Sequence, residues 1–210
     1  MQEIRPADLT GDAAYKLLCG LVVPRPIAWV STQSGDGVSN LAPFSCFTFV
    51  SHRPPMLGVS IGRRPQGLKD TARNIHETRE FVVHIGDEAL LDPLHRSGAD
   101  FPPEVSEADL LGLELAPSRL VMPLRVVRAP VAMECCLHTV IDLGSNQFFV
   151  GEIQLFHIRE GLAVDNKVDS ARLRPLSRLG GPNYATLGQI IGMTPQAENP
   201  DTQKSAVGWG

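Results

Sequence analysis

The sequence predicts a mainly β protein, a small antiparallel barrel carrying a few inserted helices. Three observations point there. Six or seven runs rich in β-branched and aromatic residues are bounded by Gly, Pro, Asn and Asp, the punctuation of short strands. Helical patterns interrupt these runs without alternating with them, which argues against a parallel sheet of βαβ units. The two longest runs, "APVAMECCLHTVIDL" and "NQFFVGEIQLFHIRE", meet through Gly144 and Ser145, a connection short enough for a hairpin.

Taken in order, "TGDAAYKLLCG" predicts a short helix with Thr10 or Asp12 as N-cap and Gly20 as its stop. "PIAWVSTQ" and "VSNLAPFSCFTFV" flank the turn-forming "SGDG" and read as a hairpin. Pro54 and Pro55 open a third strand, "PPMLGVSIG". Leu68, Ala72 and Ile75 recur at helical spacing, which predicts a helix from about Gly67 to Arg79. The strand "EFVVHI" follows it. Residues 87–112 read as helix and loop, and "RPLSRLGGPNYATLGQI" is punctuated by Gly and Pro and reads as irregular. One domain is expected over residues 1–193, with a linker-like tail over 194–210.

Composition narrows the function classes. The 210 residues are 43% apolar, enough for one globular core. A net charge of −4 gives no basic excess, so no nucleic-acid partner is expected. The absence of an 18-residue apolar run predicts no membrane span. "MQEIRPADL" lacks the basic and apolar regions of a signal peptide, so the expected location is the cytoplasm. Cys19, Cys46, Cys135 and Cys136 form no CxxC pair and read as buried, reduced thiols. The six histidines show no ligand-like spacing, so no metal site is expected. No GxGxxG follows a strand, and neither a P-loop, HExxH nor GxSxG occurs. Dedicated acid–base machinery is not visible.

Two segments carry chemistry. In "SIGRRPQGLKDTARNI" the cations Arg63, Arg64 and Lys69 crowd the start of a helix, where the macrodipole is already positive. An anion there would reverse the sign of the interaction, and backbone N–H groups with basic side chains form a phosphate site. Ser60 and Thr71 would add hydroxyl donors. The competing reading is a solvated basic patch in which Lys69 pairs with Asp70 or Glu77. In "NLAPFSCFTF", Pro43 cannot donate a ladder hydrogen bond and implies an edge, a bulge or a break. Backbone groups released there, with Asn40, Ser45, Phe44 and Phe47, suit a flat heteroaromatic ligand. The competing reading makes these phenylalanines ordinary core.

"VVPRPIAWVST", "NLAPFSCF", "SIGRRPQGLKDTARNI" and "EFVV", in this order, resemble the flavin reductase-like family of FMN-binding split barrels, with "PLSRLGGPNY" also fitting. The resemblance implies a six- or seven-stranded antiparallel Greek-key barrel and a homodimer with FMN near the subunit interface. It places the phosphate at Lys69, Thr71, Ser60 and one of Arg63 and Arg64. The flavin ring falls at Asn40, Ala42, Pro43, Phe44 and Ser45, and the ribityl chain near Ser31 and Thr32. His84 stands where relatives commonly carry Asn, and it is left out of the site. The implied activity is flavin reduction by NADH or NADPH, with electrons passing to a flavin-dependent monooxygenase partner, oxygen or another acceptor. The alternative is a non-enzymatic FMN-binding electron-transfer module.

Overall fold

The computed structural model describes residues 1–65 and 67–193; the expected tail over 194–210 lies outside them. Seven strands form the main sheet: β1 (Ala28–Gln33), β2 (Ser39–Phe44), β3 (Phe47–His52), β4 (Pro55–Gly62), β5 (Glu80–Ile85), β6 (Val131–Leu143) and β7 (Asn146–Ile158). Their order is β2-β1-β5-β6-β7-β4-β3, with every neighbouring pair antiparallel. The two edge strands are consecutive in sequence, joined only by Ser45 and Cys46. Such a link reaches at most about 11 Å, so the sheet must curl until its edges meet. Ser60 N–H on β4 donates to Cys46 O at 2.8 Å, which carries the β3–β4 ladder into that link. The curl makes the expected barrel.

Strand alternation then assigns the two faces. Ala28 and Val30 of β1, Phe81 and Val83 of β5, Cys135 of β6 and Phe149 of β7 point into the barrel, which Leu57, Val59 and Ile61 of β4 help fill. Each large side chain buried there contributes roughly 1.5–3 kcal/mol. The barrel tolerates so many aromatics because β7 is bare at Gly151, where a Cβ would lie 2.2 Å from Phe81 Cζ. The opposite face of β1 and β2 carries Trp29 and Leu41, which pack with Leu90, Leu94 and Ala108 into a second core. Those partners come from the 87–112 insert, which forms α3 (Leu91–Arg96) and α4 (Glu107–Leu110). Trp29 Nε1 donates to Ser97 Oγ at 2.9 Å, so the buried indole is satisfied. The insert is thereby pinned beside β2, and this positions the site.

Several local expectations change. Helix α1 (Gly11–Leu21) has Thr10 as N-cap, its hydroxyl accepting from Ala13 N–H at 3.2 Å. It passes through Gly20, because the Arg25 guanidinium takes over the C-terminal carbonyls of Cys19 and Val22 at 2.7 Å each. Helix α2 (Asp70–Thr78) begins later than Gly67. Arg64 and Gly67 exchange both backbone hydrogen bonds in a tight turn, with Gly67 at φ +128°, and that consumes the expected first turn. Within the stretch expected to be irregular, Ser177–Arg178 and Tyr184–Ala185 are short strands that form a three-stranded sheet with Arg25–Pro26. Of the thiols only Cys135 is buried. Cys46 is exposed, and Cys19 and Cys136 are half-buried.

Candidate functional site

Helix α2 supplies the first wall. Lys69 occupies its N-cap position without any side-chain cap to the opening amides, which by helix geometry have no partner within the helix. The cations that crowd this end are mostly neutralised. Asp70 pairs with Arg64 at 3.2 Å and with Arg73 at 2.7 Å, and Asp100 takes the second Arg64 nitrogen at 2.8 Å. Arg63 turns to Asp142. Lys69 pairs with no carboxylate among the described residues. Its Nζ sits 5.8 Å from the centroid of the Phe44 ring. The basic patch therefore reduces to one uncompensated ammonium at an uncapped helix start.

Strand β2 supplies the second wall. It is an edge strand, so Pro43 removes no ladder bond, and its register places Pro43 opposite Trp29. Asn40 is buried and its Nδ2 donates to Thr71 Oγ1 at 2.9 Å and to Thr32 Oγ1 at 3.3 Å. Asn74 Nδ2 also donates to Thr32 Oγ1, at 3.1 Å. This network locks α2 onto the hairpin and leaves the Thr71 hydroxyl proton available. Glu107 is buried beneath it and accepts from Leu41 N–H at 2.8 Å, satisfying the exposed edge of β2. Burial pushes the Glu107 carboxyl above the usual range, against the pull of that amide.

Asn40, Ala42, Pro43, Phe44, Arg64, Lys69 and Thr71 line one hollow, closed on its other side by the Ser97–Asp100 turn and Glu107. That turn approaches closely because residue 98 is glycine. A Cβ there would lie 3.2 Å from both Pro43 Cγ and His95 O. An adjoining cleft of about 720 Å³ shares Pro43, Phe44 and Lys69 and adds Ser45 and Ser60, a size within the usual range of small-molecule sites. Ser60 Oγ accepts from Asn146 Nδ2 at 3.0 Å, and Ser45 Oγ from Arg25 Nε at 3.4 Å.

The structure thus brings together Asn40, Ala42, Pro43, Phe44, Ser45, Ser60, Arg64, Lys69 and Thr71. Three expected residues stand apart from the lining. Ser31 is buried and donates to Leu124 O at 2.5 Å, Thr32 lies behind Asn40, and the Arg63 guanidinium is held by Asp142. Phe47 packs partly on the barrel core instead of lining the cleft. Sequence reasoning did not find Glu107, Gly98, Arg178 or Tyr184. Each arrives through a contact distant in sequence, and only the "PLSRLGGPNY" stretch carried a signal.

The flavin reductase like domain family matches residues 20–172. A protein of Halalkalibacterium halodurans is 37% identical over 198 residues, covering 91% of this chain and 95% of that one. Among solved structures, nitrilotriacetate monooxygenase component B from Bacillus cereus superposes with a TM-score of 0.90 at 37% identity, covering 92% of this chain and 98% of that one. The 2-nitrobenzoate 2-nitroreductase of Pseudomonas fluorescens gives a TM-score of 0.85 at 34% identity, covering 96% and 100%. Flavoredoxin from Methanosarcina acetivorans shares the fold, with a TM-score of 0.76 at 21% identity and coverage of 92% and 95%. With its curled seven-stranded sheet, its β2–α2 cleft and these relatives, the chain belongs to the flavin reductase like domain family.

Proposed function

We propose that this protein is an FMN-binding oxidoreductase that draws electrons from NADH or NADPH and passes them to an oxygenase partner, oxygen or another acceptor. The observation that carries the reading is Lys69, an ammonium without a carboxylate partner among the described residues, at a helix start without a side-chain cap. A phosphomonoester, with about −1.5 to −2 charges at neutral pH, meets both needs. Bound FMN would supply the hydride-accepting and electron-delivering chemistry. The chain's own residues bind and orient. Lys69, the opening amides of α2 and the Thr71 hydroxyl would hold the phosphate. The edge of β2 from Ala42 to Ser45 would offer backbone groups to the ring, with Phe44 and Pro43 as its apolar support. The name of the Bacillus cereus relative, a monooxygenase component, supports an oxygenase as the acceptor. The open cleft beside Pro43–Ser45 supports the enzymatic reading, since a nicotinamide needs room there.

Two measurements test this. FMN should bind more tightly than riboflavin at moderate salt, and the FMN-loaded protein should oxidise NADH or NADPH in steady state. Equal affinity for the two flavins would reject the phosphate assignment. Tight FMN binding with no oxidation of either donor would assign the chain to electron transfer instead.

A homodimer belongs to the same reading. Helix α1 buries none of its residues. It exposes Leu18, Leu21 and, at its end, Val22, while Tyr15, Lys16 and Cys19 line the cleft. A second copy covering this apolar face would also finish the cleft wall. Light scattering that gave a concentration-independent mass near 22.8 kDa would reject the dimer.

A further inference from the structure

The charge of the large cleft exceeds what one flavin phosphate requires. Lys16, Arg25, Lys69 and Arg178 line it with His95, and no Asp or Glu does among the described residues. Among the described residues none of these four cations has an ion pair, whereas eight arginines elsewhere do (Arg5, Arg63, Arg64, Arg73, Arg96, Arg159, Arg172 and Arg174). Arg25 is spent on structure. It is buried, and its donors go to the carbonyls of Cys19, Val22 and Leu179 and to Ser45 Oγ. Lys69 answers to the phosphate proposed above. Lys16 and Arg178 remain.

Arg178 is built to present a fork. Its Nε and Nη2 donate to Gly181 O at 3.1 and 2.9 Å, and its Nη1 donates to Tyr184 Oη at 2.7 Å. The guanidinium also stacks over the Tyr184 ring at 4.7 Å, which fixes its plane. Five N–H groups less three leaves one on each terminal nitrogen, the pair that suits two oxygens of a phosphate. Arg178 also lines a small hollow with Pro43 and Ser45, so its charge stands beside the ring platform as well as in the larger cleft. In a nicotinamide dinucleotide the diphosphate is one ribose away from the reacting ring, which matches that placement.

We infer that Arg178 and Lys16 form a second anion subsite in this cleft, one that takes the diphosphate bridge of the electron-donating dinucleotide. The inference rests on the proposed FMN-binding reading. The same chemistry would also serve the diphosphate of a bound FAD, and the test separates the two sources.

The test is calorimetric and needs no turnover. FMN-loaded protein is titrated with ADP-ribose, which carries the diphosphate without the nicotinamide, and with adenosine. ADP-ribose should bind, more weakly as salt rises, and adenosine should bind at least tenfold less well. Lys16→Ala and Arg178→Lys should each weaken ADP-ribose roughly three- to tenfold, while FMN affinity stays within twofold of wild type. Lys16 is exposed and makes no hydrogen bond or ion pair to the described residues, so its variant remains informative even if the Arg178 variant disturbs the turn at Gly181. Equal binding of ADP-ribose and adenosine, or variants that change neither, would overturn the subsite. If apo-protein binds FAD at least tenfold more tightly than FMN and Lys16→Ala erases that gap, the diphosphate is the flavin's own and the donor assignment is overturned. Failure of the wild type to bind FMN at all would instead strike the functional reading beneath it.

Discussion

Between pH 6.5 and pH 4 the protein should lose roughly 3 kcal/mol of stability through His84 alone. The imidazole is fully buried. Its Nδ1–H donates to Trp29 O at 2.9 Å, and its Nε2 accepts from Val126 N–H at 3.0 Å. The bond from Val126 needs the neutral ring, because a protonated Nε2 cannot accept, whereas the bond to Trp29 O survives protonation. Burial, aided by the positive charge of Arg125 and against the pull of the Trp29 carbonyl, lowers its pKa from 6.5 to about 4. The sign follows from linkage: in this window the unfolded chain binds a proton that the folded chain refuses. Stability is therefore complete above pH 6.5 and drains as pH falls toward 4. A gap of about 2.5 pKa units is worth about 3.4 kcal/mol. Chemical denaturation at pH 7, 5.5 and 4.5 should show this slope in wild type and a flatter one in His84→Asn. The variant should start lower at pH 7, by about 1–3 kcal/mol, because a buried partner is left unpaired. Glu134 also holds its proton less tightly than usual, since hydrogen bonds from His157, Arg119 N–H and Leu120 N–H outweigh its burial. Glu134 remains in both proteins, so the difference between the two slopes isolates His84. Parallel slopes would remove this histidine from the account of acid stability.

His84 also shows where the sequence stops being legible. "EFVVHI" reads as a strand from its residues, and as a strand buried on both faces once the run of apolar side chains is counted. Nothing local says that residue 84 joins Trp29 on one side and Val126 on the other, because those partners are 55 and 42 positions away. The same division runs through the site. Lys69, Thr71, Asn40 and the Pro43 edge are readable, since a cation at a helix start and a proline in a strand conflict with local preference, and such conflicts mark function. The neutralisation of Arg64 by Asp100, and of Arg63 by Asp142, is not readable, because the carboxylates lie 36 and 79 positions away, one in a loop and the other near the end of β6. Three cations in sequence become one in space. Gly20 illustrates a different failure. It is a fair stop signal, but Arg25 caps the carbonyls of Cys19 and Val22 on either side of it and lets α1 continue to Leu21.

Lys69→Ala should weaken FMN binding by roughly 1.5–3 kcal/mol, the scale of a hydrogen bond to a charged group. Beside the paired Arg63, Arg64 and Arg73, the uncapped start of α2 leaves Lys69 as its one cation with no carboxylate partner among the described residues. Removing it should cost the apo-protein little. The Phe44 contact at 5.8 Å is worth at most about 0.5–1 kcal/mol at a half-exposed position. Taking a positive charge from a helix N-terminus returns about 0.3–1 kcal/mol. The two nearly cancel, so denaturation midpoints of the apo-proteins should agree closely. Riboflavin affinity should hardly move, because it has no phosphate for the ammonium to meet. The FMN penalty should shrink as salt rises, as a partly exposed ion contact is screened. Fluorescence titrations of both flavins at two salt concentrations, beside apo-protein denaturation, separate a phosphate ligand from a structural lysine. A fall in apo stability of more than about 1 kcal/mol, with FMN and riboflavin affinities moving together, would place Lys69 in a surface ion-pair network and take the phosphate away from the start of α2.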